Sequence, residues 1–223
     1  MDGRDELILK LSKEVERLKA QNKKIVEEAL NAIIKTLEAK DKYTLGHSRR
    51  VAYYSLMVAR NFSFSQAILH EIELAALLHD IGKIGTPLEI LNKPSGLTDE
   101  EFEIIKQHPI HSFEILCEVS SLKNVAQWVR SHQERVDGLG YPDGLKAENI
   151  PLPSRIIAVA DAFDAMTSDR PYRKAMSAEL AYAELRRCAG TQFDEKTVDV
   201  FINAHQLQKM PQAEPKTRLY KHS

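Results

Sequence analysis

The stretch AALLHDIGKIG, residues 75–85, is the part of this 223-residue chain that decides its fold and chemistry. Its first half continues an apolar segment with helical spacing, and the adjacent His79 and Asp80 end that segment. Two glycines and Lys83 follow directly. An ionised aspartate at the end of a core helix costs free energy unless it is paired or bound to a metal ion. The stretch therefore predicts a buried helix that carries reactive polar groups at its end.

Segments with helical spacing fill the rest of the chain from Ala39 onward. Thr98, with Glu101 three residues later, forms a capping box, and Asp194 can cap the last helix. No long run alternates with period two, so we predict an all-α fold. The helical segments read TLGHSRRVAYYSLMVARNF, SQAILHEIELAALLHDIG, TDEEFEIIKQHP, LKNVAQWVRSHQE, SRIIAVADAFDAMTS, SAELAYAELRRCAG and DEKTVDVFINAHQLQ.

Four further places put a histidine or an acid into apolar helical surroundings: His47, His108, His132 and Asp161. Each of them alone has a second interpretation, because a lone histidine on a helix is most often a satisfied structural residue. Five such features in one domain, counting the His79–Asp80 pair, favour a shared site instead. Imidazoles and carboxylates without thiolates suit iron, manganese or zinc in a hydrolytic site better than a structural zinc.

The composition excludes several classes of protein. The net charge is −1 and the pI about 6.7, so no global basic surface draws the chain onto polymeric nucleic acid. Cys117 and Cys188 are isolated in helical patterns and predict idle thiols, not a disulfide framework. The sequence contains no apolar run long enough for a membrane span and no signal peptide, so we expect a cytoplasmic protein.

The N-terminal residues repeat in heptads. The a positions are Ile8, Val15, Asn22 and Ala29, and the d positions are Leu11, Leu18, Ile25 and Ala32. One buried Asn at an a position is typical of a parallel two-stranded coiled coil. The alternative is an amphipathic helix packed on its own domain, for which Asn22 is a poor choice. We therefore predict a parallel homodimer through residues 8–32, and divide the chain into a coiled-coil signalling helix, a globular domain and a polar tail at 1–38, 39–208 and 209–223.

The chain resembles the HD-GYP domains, the branch of the HD phosphohydrolase superfamily that degrades cyclic di-GMP. The resemblance spans roughly Lys40 to Gln206 and rests on motifs in the family's order: HDIGKIG, KPSGLTDEE, HP, HQERVDGLGYPDGL, RIIAVADAFDAMTSDRPYR and FDEK. It implies an HD-type helical bundle behind the N-terminal helix. It also implies a metal-dependent phosphodiesterase that opens cyclic di-GMP to pGpG, with further cleavage to GMP and a mixed GMP–AMP cyclic dinucleotide as open alternatives.

The resemblance also implies roles for individual residues. The first divalent metal ion, iron or manganese, would be held by His47, His79, Asp80 and Asp161. Asp80 would bridge to a second ion, which His108 and His132 would also bind. The ligand would be contacted by Lys83, Tyr141, Arg170 and Arg173. Some family members hold a third ion through a glutamate at the position of Tyr43, so we expect no third ion here.

The chemistry of these side chains agrees with that assignment. Asp80 has two carboxylate oxygens and can join two ions, which together hold a hydroxide and lower its pKa. That hydroxide would attack phosphorus in line, while Lys83 and the ions offset charge on the phosphate oxygens. Asp164 shares a helix face with Asp161 and either orients a ligand or is an ordinary polar residue at the edge of the core.

The chain departs from the family pattern at Gln133, where the family has a second adjacent histidine that binds the second metal ion. An amide oxygen is a weaker ligand than imidazole for iron, manganese or zinc, so the second site is expected to be weaker. This favours an alternative function, a degraded module that binds a cyclic dinucleotide, or a partner protein at the GYP loop, and signals through the coiled coil. A general nucleotide phosphohydrolase is a third, less favoured option. Smaller departures at Ser112 and Glu195 are expected to alter helix ends only.

Overall fold

The structure is a computed structural model and describes residues 3–40, 46–169 and 174–209. The described residues form ten α-helices and no strand, which confirms the all-α prediction. The helices are α1 Gly3–Lys40, α2 His47–Ala59, α3 Gln66–Leu78, α4 Leu88–Leu91, α5 Asp99–Ile105, α6 His108–Cys117, α7 Lys123–Arg130, α8 Leu152–Thr167, α9 Ala178–Arg187 and α10 Glu195–Lys209. Short 3-10 helices lie at Ile81–Gly85, Ser120–Leu122 and Ala147–Asn149.

Helix α1 has 38 residues and a length of about 57 Å. Its heptad residues up to Ile25 are exposed, with Ile8 57% exposed. Near its end, by contrast, Ile34 is 1% exposed, and Leu30 and Leu37 pack against the globular core. The last turns of this helix therefore pack on the domain, whereas its first turns leave an apolar stripe uncovered. The coiled-coil dimer stays a prediction. Across the described residues, no helix is both long and apolar enough to cross a membrane.

Helix α8 separates two apolar clusters. Ile156 and Phe163 point into one cluster with α9 and α10, and the neighbouring Ile157 points into the other with α2, α3 and α7. A helix that is apolar on more than one side is buried on more than one side. Its two aspartates, Asp161 and Asp164, are therefore carried into the interior of the bundle.

The predicted helix starts are confirmed. Thr98 and Glu101 form the reciprocal capping box at α5, and Asp194 accepts a hydrogen bond from the Thr197 amide at 2.8 Å at the start of α10. Both cysteines are free thiols, as expected.

Candidate metal centre

The side chains of His47, His79, Asp80, His108 and His132 meet at one end of the bundle. They form two groups of metal-ligating type, and within each group the ligand atoms lie within 4.8 Å of one another. One group is His47, His79 and Asp80; the other is Asp80, His108 and His132. Asp80 is common to both, as a bridging carboxylate requires.

Asp161 joins the first group from α8. Its Oδ1 lies 3.2 Å from His47 Nε2 and 4.0 Å from His79 Nε2. In the second group, His108 Nε2 lies 3.5 Å from Asp80 Oδ1 and 3.3 Å from His132 Nε2. The six residues proposed as metal ligands thus come from α2, α6, α8 and the segments after α3 and α7, and they share one centre.

Hydrogen bonds fix which nitrogen each imidazole turns to the centre. His79, His108 and His132 each have Nδ1 within 2.6–2.8 Å of the backbone carbonyl three residues earlier. A carbonyl can only accept, so each Nδ1 carries the proton and each Nε2 keeps a lone pair. His47 also donates from Nδ1, to Asp164 Oδ2 at 2.7 Å, but its Nε2 lies 3.2 Å from Asp161 Oδ1 and faces an acid rather than a free space. This arrangement is the usual one around metal-binding histidines.

Two observations test whether a cation fits here. The lone pairs of His108 Nε2 and His132 Nε2 face each other at 3.3 Å, which is repulsive without a positive charge close to both. Among the residues that the structure describes, buried His79 Nε2 has no hydrogen-bond partner, with Asp80 Oδ2 at 3.4 Å, and a buried polar atom without a partner is costly. A divalent cation at each group satisfies these nitrogens, one beside His79 and one beside His108 and His132. The donor set of imidazoles and carboxylates without thiolates suits iron, manganese or zinc.

The protonation states agree with metal binding by the second group. Burial lowers the pKa of His108 to about 4 and that of His132 to about 3, so both imidazoles are neutral at pH 7. Burial alone would raise the pKa of Asp80, but the Lys83 ammonium, together with the neighbouring His79, holds it well below its usual range. Lys83 Nζ lies 2.7 Å from Asp80 Oδ2. The centre therefore offers neutral nitrogens and an ionised carboxylate.

In the first group, the carboxylates of Asp161 and Asp164 set the protonation state of His47. Burial would lower the pKa of His47, but hydrogen bonds to Asp161 and Asp164 outweigh it and raise that pKa to about 9. Burial likewise opposes ionisation of Asp161, whose pKa is nevertheless lowered by its hydrogen bond to His47. Asp164 also accepts from Arg50 Nε at 2.5 Å. Asp164 is buried and touches a proposed ligand, which supports the first of its two sequence-based interpretations.

The HD turn lies directly against the start of α6. A Cβ at Gly82 would lie 2.0 Å from the backbone oxygen of His108, so this close approach requires glycine. The buried Ser112 hydroxyl accepts a hydrogen bond from Gly82 N at 2.8 Å and donates one to His79 O at 3.2 Å. The serine therefore ties the segment that holds Asp80 to the helix that holds His108. The expectation that it alters only a helix end needs revision, because its contacts lie within the centre.

We expect Ser112→Ala to weaken metal binding about tenfold, since hydrogen bonds that hold metal ligands in place are worth 10- to 100-fold in affinity. It also leaves the buried Gly82 amide without its partner, at a cost of about 1–3 kcal/mol in unfolding free energy. Competition titration with Mn²⁺ and thermal unfolding measure the two effects. Ser55→Ala is the matched control, because the Ser55 hydroxyl is buried without a hydrogen-bond partner. Unchanged Mn²⁺ affinity in Ser112→Ala would contradict the role.

The GYP loop is held by Glu134, which the sequence presented only as one of several polar residues. Its buried carboxylate accepts hydrogen bonds from Asp143 N at 2.7 Å and Leu145 N at 3.0 Å. A Cβ at Gly140 would lie 2.3 Å from the backbone nitrogen of Arg135. The two backbone segments approach so closely at this point that only glycine fits. These contacts fold the loop back onto the centre.

The loop brings Tyr141 to the metal ligands. Its ring centroid lies 6.4 Å from that of His108, and burial raises the pKa of the phenol to about 12. Tyr141, His132 and Asp161 line a cavity of about 530 Å³, within the range of small-molecule sites. Gln133 lines the same cavity, and its backbone oxygen accepts a hydrogen bond from Tyr141 N at 3.2 Å. Arg170, Arg173 and Tyr43 lie outside the described residues.

Two histidines outside the centre make other contacts. His70 is exposed and lies 3.6 Å from Glu73, and His205 packs against Phe201 with its Nδ1 2.5 Å from the Tyr182 hydroxyl. Ser112, Glu134 and Arg50 are the residues that sequence reasoning missed. An available signal for Glu134 was its position directly beside His132 and Gln133.

Comparisons with known proteins agree with this geometry. The HD domain family model matches residues 31–197. The chain is 41% identical to a cyclic di-GMP phosphodiesterase of Thermotoga maritima, over 86% of this chain and 53% of that protein. It is also 41% identical to the 3'3'-cGAMP-specific phosphodiesterase 3 of Vibrio cholerae, over 74% of this chain and 36% of that protein. The chain thus spans about half or less of the length of these relatives.

Solved structures share the fold. A cyclic GMP-AMP phosphodiesterase of V. cholerae superposes with a TM-score of 0.65 at 24% identity, covering 82% of this chain and 49% of that one. The HD domain of the phosphodiesterase PgpH of L. monocytogenes superposes with a TM-score of 0.56 at 18% identity, covering 79% of this chain and 97% of that one. The matched family model covers most of the chain. The chain belongs to the HD domain family, in its HD-GYP branch.

Proposed function

We propose that the chain is a metal-dependent phosphodiesterase that hydrolyses cyclic di-GMP to pGpG, with GMP as a further product. The observation that carries the proposal is the placement of Asp80, which is common to two groups of ligating side chains and lies 2.7 Å from the Lys83 ammonium. Relatives named cyclic di-GMP phosphodiesterases, at about 40% identity, support the choice of substrate.

Two divalent metal ions, iron or manganese, are the proposed cofactors. His47, His79, Asp80 and Asp161 would hold the first, and Asp80, His108 and His132 the second. Such ions supply Lewis acidity and a water of lowered pKa. The residues do the remaining work: the neutral imidazoles of His108 and His132 stay available as ligands, and Lys83 provides a positive charge for a phosphate oxygen where charge develops.

The ligand is proposed to enter the cavity beside the centre. Tyr141 would contact it from the GYP loop, and its raised pKa keeps the phenol neutral and able to donate a hydrogen bond. Arg170 and Arg173 are proposed to bind the anionic ligand as well.

The test is turnover of the purified chain, loaded separately with Fe²⁺ and Mn²⁺ and analysed for bound metal. We expect cyclic di-GMP to disappear with pGpG as the first product, and activity to be lost on chelation. A protein with two bound ions per chain that leaves cyclic di-GMP intact under both metals would refute the proposal.

Gln133 favours a second candidate function, a module that binds a cyclic dinucleotide without cleaving it. The residue lines the cavity where the family has a metal-binding imidazole. A protein partner would find the exposed tip of the GYP loop, where Leu139 is 78% exposed. Metal content and turnover separate the two candidates.

The N-terminal helix is proposed to form a parallel homodimer through residues 8–32. The support is the uncovered apolar stripe, with Ile8, Leu11, Val15 and Leu18 all about half exposed. Sedimentation equilibrium at tens of micromolar should give a dimer, and a cysteine placed at Ala29 should cross-link to its own copy. A monomer, or no cross-link within the dimer, rejects the parallel arrangement.

A further inference from the structure

Helix α5 forms part of the rim of the metal cavity but contributes nothing to the core. None of its residues is buried, and Phe102 is 43% exposed. The helix is held at its start by the capping box and by an ion pair of 2.5 Å between Lys93 and Glu101. Phe102 therefore does not serve to fill the core, because nearly half of its side chain stays exposed to solvent.

Phe102 instead lies in a cluster with Lys106 and Tyr141. The rings of Phe102 and Tyr141 meet edge to face, with centroids 6.4 Å apart. The Lys106 ammonium lies 5.0 Å from the Phe102 centroid and 6.0 Å from the Tyr141 centroid, at cation–π distance from both. All three side chains line the cavity that His132 and Asp161 also line.

From this arrangement we infer that Phe102 and Lys106 form a guanine-binding subsite next to the metal centre. This inference rests on the proposed function, because it names the part of the site that selects the base. One guanine of the cyclic dinucleotide stacks on Phe102 and directs its acceptor edge to Lys106, while a phosphate reaches the metal ligands.

The chemistry of Lys106 selects guanine over adenine. Guanine presents O6 and N7 as adjacent acceptors, whereas adenine places an amino donor beside N7. An ammonium has three N–H donors and no acceptor, so it pairs with the guanine edge and opposes the adenine amino group. Lys106 Nζ donates one hydrogen bond to Glu103 Oε1 at 2.6 Å, and its other N–H groups can donate to an incoming base. Stacking on the phenyl ring adds affinity for either purine.

The test compares KM for cyclic di-GMP and cyclic di-AMP in Phe102→Leu and Lys106→Met. Phe102→Leu keeps an apolar side chain and removes the aromatic face, and Lys106→Met keeps the stem and removes the charge. We expect KM for cyclic di-GMP to rise about tenfold in each variant, from the stacking and the base-edge contact respectively. Lys106→Met should also narrow the preference for cyclic di-GMP over cyclic di-AMP. Lys123→Met, at an exposed lysine of α7, is the matched control with wild-type KM.

Neither variant removes a core residue, and circular dichroism should show wild-type helix content.

Methyl 4-nitrophenyl phosphate, a diester without a nucleobase, reports the metal centre alone. If the wild type is active and both variants keep its KM for cyclic di-GMP, the subsite is rejected and the proposed function stands. If a two-metal wild type cleaves neither ester, the proposed function fails, and calorimetric dissociation constants decide the subsite. The subsite is supported if both variants bind cyclic di-GMP ten times more weakly than the wild type. It is overturned if the variants bind as tightly as the wild type, or if the wild type does not bind at all.

Discussion

Asp80→Asn is expected to lower turnover of cyclic di-GMP by about a thousandfold or more and to reduce bound metal below two ions per chain. The substitution keeps the shape of the side chain, so its effect is electrostatic. Asp80 is the residue common to both ligand groups, and an amide offers a single neutral oxygen where the carboxylate offers two charged ones. Loss of metal-assisted stabilisation worth several kcal/mol corresponds to a rate loss of that size. Metal analysis and product chromatography measure the two effects.

Asp194→Asn is the matched control for Asp80→Asn. Asp194 is a partly buried aspartate that caps α10 and pairs with Arg155 at 2.9 Å, outside the centre. Its amide variant can still cap α10 but loses the ion pair with Arg155, so it should lose about 1 kcal/mol of stability or less and retain both metal ions. This comparison separates general destabilisation from loss of a ligand. Two tightly bound ions and wild-type turnover in Asp80→Asn would remove Asp80 from its bridging role.

The parts of the site that the sequence could predict share one property: a polar group in an apolar helical pattern. His79, Asp80 and Asp161 stand out because helical periodicity makes the residues before them core residues. That such residues belong to one centre followed from chemistry, since a buried acid needs a partner. The all-α fold followed from the same periodicity.

What the sequence could not predict depends on contacts between distant segments. The Ser112 hydroxyl acts on the backbone of Gly82, 30 residues earlier, and no local pattern distinguishes it from a solvent-facing serine. Phe102 reads as a core residue in a short amphipathic helix, yet α5 buries none of its residues. Ile34 belongs to an apparent coiled-coil helix but packs on the globular domain. In each case the tertiary surroundings, and not the local spacing, decide the role.

Ser112 and Gln133 both depart from the family pattern, but they differ in what they contact. Ser112 strengthens the connection between the HD turn and α6. Gln133 lies beside His132 in the sequence and lines the cavity, and the position it occupies is one that the family uses for the second metal ion. The first group, with His47, His79 and Asp161, contains no departure. Any deficit in metal binding should therefore appear in one of two ions.

Gln133→His is expected to raise affinity for the second metal ion by about 10- to 100-fold, because imidazole is a stronger ligand than a neutral amide oxygen for iron, manganese or zinc. At limiting Mn²⁺, turnover of cyclic di-GMP should rise about as much as occupancy of the second site does. Stepwise Mn²⁺ titration, followed by metal content and product formation on the same samples, measures both.

Gln192→His is the matched control for Gln133→His, since Gln192 lines the same cavity but is distant in sequence from every proposed ligand. An imidazole there should leave the second-site affinity at its wild-type value. If Gln133→His converts an inert protein into an active one, the natural chain is a binding module whose missing ligand has been restored. If the wild type already holds two ions and turns over, the binding-module alternative is wrong, and water or the amide oxygen completes the second site. Equal affinity and turnover in both glutamine variants and the wild type would show that Gln133 has no influence on the centre.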